Sequence, residues 1–172
     1  MNAIAIKHND EIIDLQTAEE LGFEGEQIHL DNSPESLDVL RHSTAHLMAQ
    51  AIKSLYPDAE FYVGPTVKEG FYYDFKTNEE IGEADLKTIE KQMLSFAKKK
   101  YPIEKYTITM AEAKEKFKDD HLKLAVMERI PGDSISIYKQ GEFEDLCRGP
   151  HLPNIGLIRY FKLTKIACAY LG

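Results

Sequence analysis

Apolar residues recur every three or four positions over residues 33–56, the spacing of one face of an α-helix. Leu37, Leu40, Thr44, Met48, Ala51 and Leu55 fall within a stripe about 80° wide at about 100° per residue, the face expected to meet a sheet. Asn32 or Ser33 can cap this helix, Pro34 suits its first turn, Glu35 favours its positive end, and Pro57 stops it. A second helical pattern, over 83–100, buries Leu86, Ile89, Met93 and Phe96 and ends in three lysines, which the helix dipole favours there. Thr109 with Glu112 makes a capping box for a short helix to about Phe117, and another is expected over 121–130.

Between the helices the pattern turns to strands, over 60–63, 70–75 (an aromatic run broken by Asp74), 103–108, 135–138, 143–146, 158–163 and 166–171. Before the first long helix, 3–7 and 11–15 flank the turn-like His8-Asn9-Asp10, a brief helical turn covers 17–21, and 27–30 is a third strand. Strands that short hold no core of their own, so residues 1–32 are expected to be a small β appendage docked on a domain over 33–172. The pattern therefore predicts an α+β fold, an antiparallel β-sheet with a long central helix packed across it.

Length and composition narrow the class. At 172 residues, 43% hydrophobic and 29% charged, the chain reads as a soluble globular domain. No apolar run reaches the ~20 residues of a membrane span, so no membrane partner is expected. Cys147 and Cys168 make no disulfide framework, which points to a reducing cytoplasm. A net charge of −8 argues against a general nucleic-acid binder. The charge is uneven, however. Residues 148–172 hold Arg148, Arg159, Lys162 and Lys165 and no acid, enough to touch a few phosphates. The final run, Tyr170-Leu171-Gly172, lacks a polar tail, as if cut from a longer protein.

Two spacings carry candidate chemistry. His42 and His46 lie one helical turn apart, so their side chains stand roughly 6 Å from each other on one face. They project more than about 100° from the apolar stripe, toward solvent or a second surface such as a cleft. Far downstream, Cys147 and His151 repeat the interval on a stiff Gly-Pro loop, where site residues gather. Taken alone, each pair reads as ordinary surface or structural residues. Together, three His and one Cys suit either a tetrahedral zinc or a metal-free site in which imidazoles handle a water. Asp145 can orient an imidazole or bind an ammonium group, or be a plain surface acid. Lys123 reads by itself as an exposed lysine.

Four stretches occur in the order and at about the distances found in threonyl-tRNA synthetases of the bacterial type. They are Arg41-His42-Ser43-Thr44-Ala45-His46-Leu47, Val63-Gly64-Pro65, Gly70-Phe71-Tyr72-Tyr73-Asp74-Phe75 and Asp145-Leu146-Cys147-Arg148-Gly149-Pro150-His151-Leu152-Pro153. The resemblance runs from about Ser33 to Gly172 and is to the N-terminal editing region. Editing parts of alanyl-tRNA synthetases share the two-pair skeleton but usually read Cys-Gly-Gly-Thr-His where this chain has Cys-Arg-Gly-Pro-His. Residues 1–32 resemble only the second half of the ubiquitin-like module that opens the family. The aminoacylation and anticodon-binding domains that follow in the family have no counterpart here.

The resemblance implies a proofreading deacylase that hydrolyses serine from the 3′ end of mischarged tRNA(Thr) and excludes threonine by size. It implies that His42 activates a water with His46 in support, and that Lys123 stabilises the oxyanion or the leaving 3′ oxygen. Asp145 would hold the substrate amino group, while Cys147 and His151 shape the pocket. Gly64, Tyr73 and Arg148 would line the substrate. No cofactor is favoured; if zinc is present, His42, His46, Cys147 and His151 would hold it, as in the alanyl relatives. ATP, a catalytic-site zinc and homodimer formation belong to the domains outside this chain. The alternatives are a zinc-dependent hydrolase, a trans-editing deacylase of the alanyl type, and a non-catalytic module binding the tRNA 3′ end.

Overall fold

The computed structural model describes residues 2–167. Strands β1 (Ala3–His8) and β2 (Glu11–Asp14) pair antiparallel from His8↔Glu11 to Ala5↔Asp14. The two residues between them, Asn9 and Asp10, both take positive φ (50° and 64°), the primed turn that matches strand twist and that Asn and Asp tolerate best. Asp14 then caps helix α1 (Leu15–Leu21), accepting from the Thr17 amide at 2.9 Å, and Gly22 ends it in the left-handed region. Strand β3 (Glu26–His29) returns to β1, giving a sheet in the order β2-β1-β3.

Helix α2 (Pro34–Leu55) is the longest element and starts from a Ser33 cap with Pro34 in its first turn and Glu35 beside it. A twisted hairpin follows, made of β4 (Glu60–Phe61), β5 (Thr66–Val67), β6 (Gly70–Phe71) and β7 (Phe75–Lys76). Between its paired ends, Tyr62 N donates to Asp74 O and Asp74 N to Val63 O, both at 2.8 Å, so Tyr73 is held on the hairpin's inner side. Helix α3 (Leu86–Lys98) buries Ile89, Met93 and Ala97 and packs on α2; Leu86 and Phe96 are only half-buried.

Strands β8 (Glu104–Thr109), β9 (Ser134–Gln140) and β10 (Phe143–Leu146) form the second antiparallel sheet, with β9 central. Helix α4 (Met110–Lys116), opened by the Thr109–Glu112 capping box, and α5 (His121–Met127) lie between β8 and β9 in the chain. Side-chain alternation divides this sheet. Ile135, Ile137, Ile108 and Leu146 face a small core with Ala113 and Met127. Tyr138 sits opposite Lys105 and Asp145 across the two neighbouring strands, on the other face, where Gln140 meets Gln50 of α2 at 2.9 Å.

The main core is one apolar cluster: Ile4, Ala5 and Ile28 from the first sheet, Val39, Leu47 and Ile52 from α2, Ile89 and Met93 from α3, and Leu152, Ile155 and Ile158 from the last segment. Two expectations change. Of the Leu37-to-Leu55 stripe only Thr44 and Ala51 are buried and the rest is half-buried, while the buried positions of α2 also include Ser36, Val39, Ser43, Ala45, His46, Leu47, Ala49, Gln50 and Ile52. With neighbours on several sides, small and polar residues are buried beside the large ones, so no single apolar stripe marks the inner face. The strand expected over 158–163 is a loop: after a short 3₁₀ turn, Ile158 N bonds to Ile155 O and Leu163 N to the Glu90 side chain. The strand expected over 166–171 falls largely outside the described residues. No described helix is long and apolar enough to cross a membrane.

Candidate active site

The middle of α2 and the loop after β10 bring His42, His46, Cys147 and His151 together, with one ligand-type atom from each within 4.8 Å of the others. His46 and His151 are buried; His42 and Cys147 are half-buried. The His151 ring lies between the other two, 4.4 Å from His42 in a stack and 4.3 Å from His46. Pro150 and Pro153 exclude helix from the loop, and Gly149 takes φ 78° before a cis peptide to Pro150.

Protons can be assigned from partners. His42 Nδ1 lies 3.3 Å from the Pro150 carbonyl, which only accepts, so Nδ1 carries the hydrogen and Nε2 a lone pair. That lone pair faces Cys147 Sγ at 3.1 Å, so the thiol donates to it. Cys147 Sγ also contacts His151 Nε2 at 3.3 Å, and having given its single proton to His42 it accepts from Nε2–H. His151 Nδ1 is therefore the acceptor for the Ser43 hydroxyl at 3.0 Å, and Ser43 Oγ accepts the Leu152 amide at 2.9 Å. Every step satisfies the next.

This assignment needs neutral groups, and burial supplies them. Desolvation lowers His42 from the ordinary imidazole value, drives His151 well below that value and pushes His46 down to about 3. The same effect pushes the Cys147 thiol up to about 12. The cluster is a set of uncharged imidazoles around a protonated thiol.

A second polar group adjoins it. Lys123 from α5 and Asp145 from β10, 2% and 1% exposed, pair at 2.5 Å between Nζ and Oδ1. Lys123 Nζ also donates to Tyr62 O at 3.3 Å, and the Tyr73 hydroxyl donates to Asp145 Oδ2. The Tyr73 ring stands 6.3 Å from His46, joining the pair to the histidines. An open cavity of about 950 Å³ has Lys123, Asp145, Gln50, Phe61 and Phe143 in its wall but none of the four clustered side chains. The four clustered side chains converge on one point, and the cavity opens on the Lys123 and Asp145 side of it.

All six residues singled out for chemistry thus converge. Gly64 serves Tyr73: a Cβ there would sit 2.5 Å from the Tyr73 ring. Arg148 is exposed on the loop. Sequence reasoning passed over Ser43; its place between the two histidines was the one signal, because the His151 imidazole and Leu152 amide it bonds come from the distant loop. It also passed over Tyr138, whose ring lies 4.5 Å from His151.

The donor set fits a tetrahedral zinc in type, one thiolate and three imidazoles, with Pro150 O and Ser43 Oγ as supports for the distal nitrogens of His42 and His151.

Residues 135–167 match the family described as threonyl and alanyl tRNA synthetase second additional domain. Over 99% of its length the chain is 63% identical to a threonine–tRNA ligase of Nautilia profundicola, and over 98% it is 63% identical to that of Helicobacter hepaticus. A Campylobacter jejuni threonine–tRNA ligase is 57% identical over 98% of the chain. In each case the chain spans 28% of the relative's length.

Proposed function

We propose that this chain, a relative of part of the threonine–tRNA ligases, is a proofreading deacylase that hydrolyses the ester of serine on the 3′ end of tRNA(Thr) and spares threonine. The observation that carries the proposal is the neutral three-histidine and thiol cluster beside a buried Lys–Asp pair. A synthetic site for threonine must admit serine, since one missing methyl gives only about 1–3 kcal/mol of discrimination. A second, smaller site that refuses the methyl corrects the error.

In this reading His42 is the base. Its Nε2 lone pair is fixed by the Pro150 carbonyl, and burial keeps it unprotonated at neutral pH, so a water that displaces the intact thiol as hydrogen-bond donor to Nε2 can give its proton to that nitrogen. His46 supports that water, and Cys147 and His151 contact it or the serine hydroxyl. The ester oxygen sits toward Lys123, whose ammonium stabilises the tetrahedral oxyanion or the leaving 3′ oxygen. The substrate ammonium joins Lys123 at the Asp145 carboxylate, with Tyr73 holding the other oxygen. Residues 33–172 form the hydrolytic unit, Arg148 meets the tRNA end, and no metal is required.

One observation favours a second reading. Three of the four clustered side chains would hold a zinc ion and leave its fourth position for a water, which the bound ion would acidify, and the chain would then be a zinc-dependent hydrolase.

The test is deacylation of seryl- and threonyl-tRNA(Thr) at excess enzyme, with and without a chelator, beside His42→Ala and Lys123→Ala. We expect the seryl ester to be cleaved selectively, the chelator to have no effect, and each substitution to slow hydrolysis by roughly 10²–10⁴-fold. Circular dichroism accompanies Lys123→Ala, because leaving the buried Asp145 unpaired costs about 3–5 kcal/mol. Equal cleavage of both esters, or none, sinks the proposal. Loss to the chelator selects zinc, and tRNA binding without hydrolysis selects a binding module.

A further inference from the structure

The first sheet reaches the hydrolytic loop through one side chain pair. Asp14, which ends β2 and caps α1, uses Oδ1 for the Thr17 amide and accepts the Tyr138 hydroxyl on Oδ2. Both residues are buried. Tyr138 comes from the central strand β9, and its ring packs at 4.5 Å and 57° against His151. Its hydroxyl occupies the place a Cβ on Gly149 would need, so the same oxygen that bonds Asp14 abuts the backbone of the loop. The surroundings hold the pair in place. Gln16 of α1 exchanges two hydrogen bonds with the Lys105 backbone, at 2.7 and 2.8 Å, and Lys105 is the cross-strand neighbour of Tyr138. A cavity of about 210 Å³ beside them is lined by Asp14, Gln16, Tyr138, His151 and Leu152, leaving room for the loop to shift if the tie is lost.

We propose that Tyr138, held by Asp14 of the first sheet, is a positioning residue that sets the Cys147–His151 loop, so that residues 3–29 tune the geometry of the hydrolytic cluster. The inference rests on the deacylase reading above. Tyr138 touches neither water nor ester; it acts through His151, whose Nε2–H to the thiol and Nδ1 to Ser43 depend on where the ring stands. A shift of an ångström in such a group costs as much as about a hundredfold in rate while leaving the grip on the tRNA end untouched.

The experiment compares the full chain with Tyr138→Phe, which keeps the ring and removes the oxygen contact, and Asp14→Ser, which keeps a good helix cap but has no second polar atom for the Tyr138 hydroxyl. Two readouts are taken on folded protein: single-turnover hydrolysis of seryl-tRNA(Thr) over a range of enzyme concentrations, and the ¹⁵N signals of the histidine rings. We expect the maximal rate to fall roughly ten- to a hundredfold with the half-saturating concentration unchanged, and the His151 ring signals to move. The double variant should be no slower than the slower single one, because both break the same tie. Unmoved His151 signals in a folded variant, a loss confined to half-saturation, or additive losses in the double variant would each overturn the inference. If the unaltered chain cleaves no ester, the deacylase reading fails by itself, and the ring signals still decide whether Tyr138 positions His151.

Discussion

At the scale of single residues, the Pro150 carbonyl decides the protonation of the whole cluster. Because it can only accept, His42 must present a bare Nε2 to the thiol, and each later proton follows. The arrangement has a consequence for stability. His46 is held down to about 3 in the folded chain, against about 6.5 for a free imidazole. Above that value it is neutral in both states. As pH falls from about 6.5 toward 3 the unfolded chain takes up a proton that the folded chain refuses, so stability is lost at up to ~1.4 kcal/mol per pH unit for each such histidine. Cys147, held up to about 12, gives the opposite limb: above about 8.5 the unfolded chain sheds a proton that the folded one keeps, and stability falls as pH rises. Urea unfolding of chelator-treated protein should therefore show a maximum between about pH 6.5 and 8.5. His46→Asn should flatten the acid limb, and an identical limb in that variant would show that the fold does not hold this imidazole neutral. Spacing made these groups candidates and the family resemblance singled them out, but their tautomers were not legible. A proton's position depends on which carbonyl and hydroxyl the loop delivers, and Ser43 and Pro150 lie 107 positions apart in the chain.

At the scale of elements, caps were the most readable feature. Ser33, Thr109 with Glu112, and the Asn9-Asp10 turn act through neighbours three residues away or fewer, so the sequence contains their whole cause. The inner face of α2 was harder, since His46 and Gln50 are buried only because Cys147, Tyr73 and Gln140 come from distant segments to meet them. The loop over 158–163 was misread as strand because its apolar residues serve the core without a strand partner; Leu163 gives its amide to the Glu90 side chain instead. The hairpin after α2 offers a direct test of how elements shape the site. Gly64 lets the Tyr73 ring lie flat on its backbone, and an added methyl would press on that ring at 2.5 Å. Gly64→Ala should move Tyr73 off Asp145, destabilise the chain by about 1–3 kcal/mol and slow deacylation. In a Tyr73→Ala background the same substitution should cost little, because the ring it displaces is gone. Thermal unfolding of the four proteins in the cycle measures the coupling. Additive losses would mean that Gly64 is needed for something other than Tyr73.

At the scale of the whole molecule, the first sheet and the elements that follow it share a core. Ile4, Ala5 and Ile28 belong to the same apolar cluster as Val39, Leu47, Ile89 and Leu152, and Gln16 and Asp14 bond across to β8 and β9. From sequence these strands read as a small appendage that must dock because it holds no core of its own, and the apolar partners they dock on lie far along the chain. Burying Ile4 and Ile28 contributes roughly 1.5–3 kcal/mol each before the hydrogen bonds are counted. That is a large part of the ~5–15 kcal/mol by which a domain of this size is stable. The full chain should therefore unfold in one transition, with circular dichroism and tyrosine fluorescence coincident. Removing residues 1–32 should expose Val39 and the Tyr138 hydroxyl, lower the urea midpoint sharply and leave the remainder binding a hydrophobic dye. Two separate transitions in the full chain, or an unchanged midpoint after the truncation, would mean that residues 33–172 fold by themselves. The first sheet would then be a passenger, and its contact with Tyr138 could not set the site.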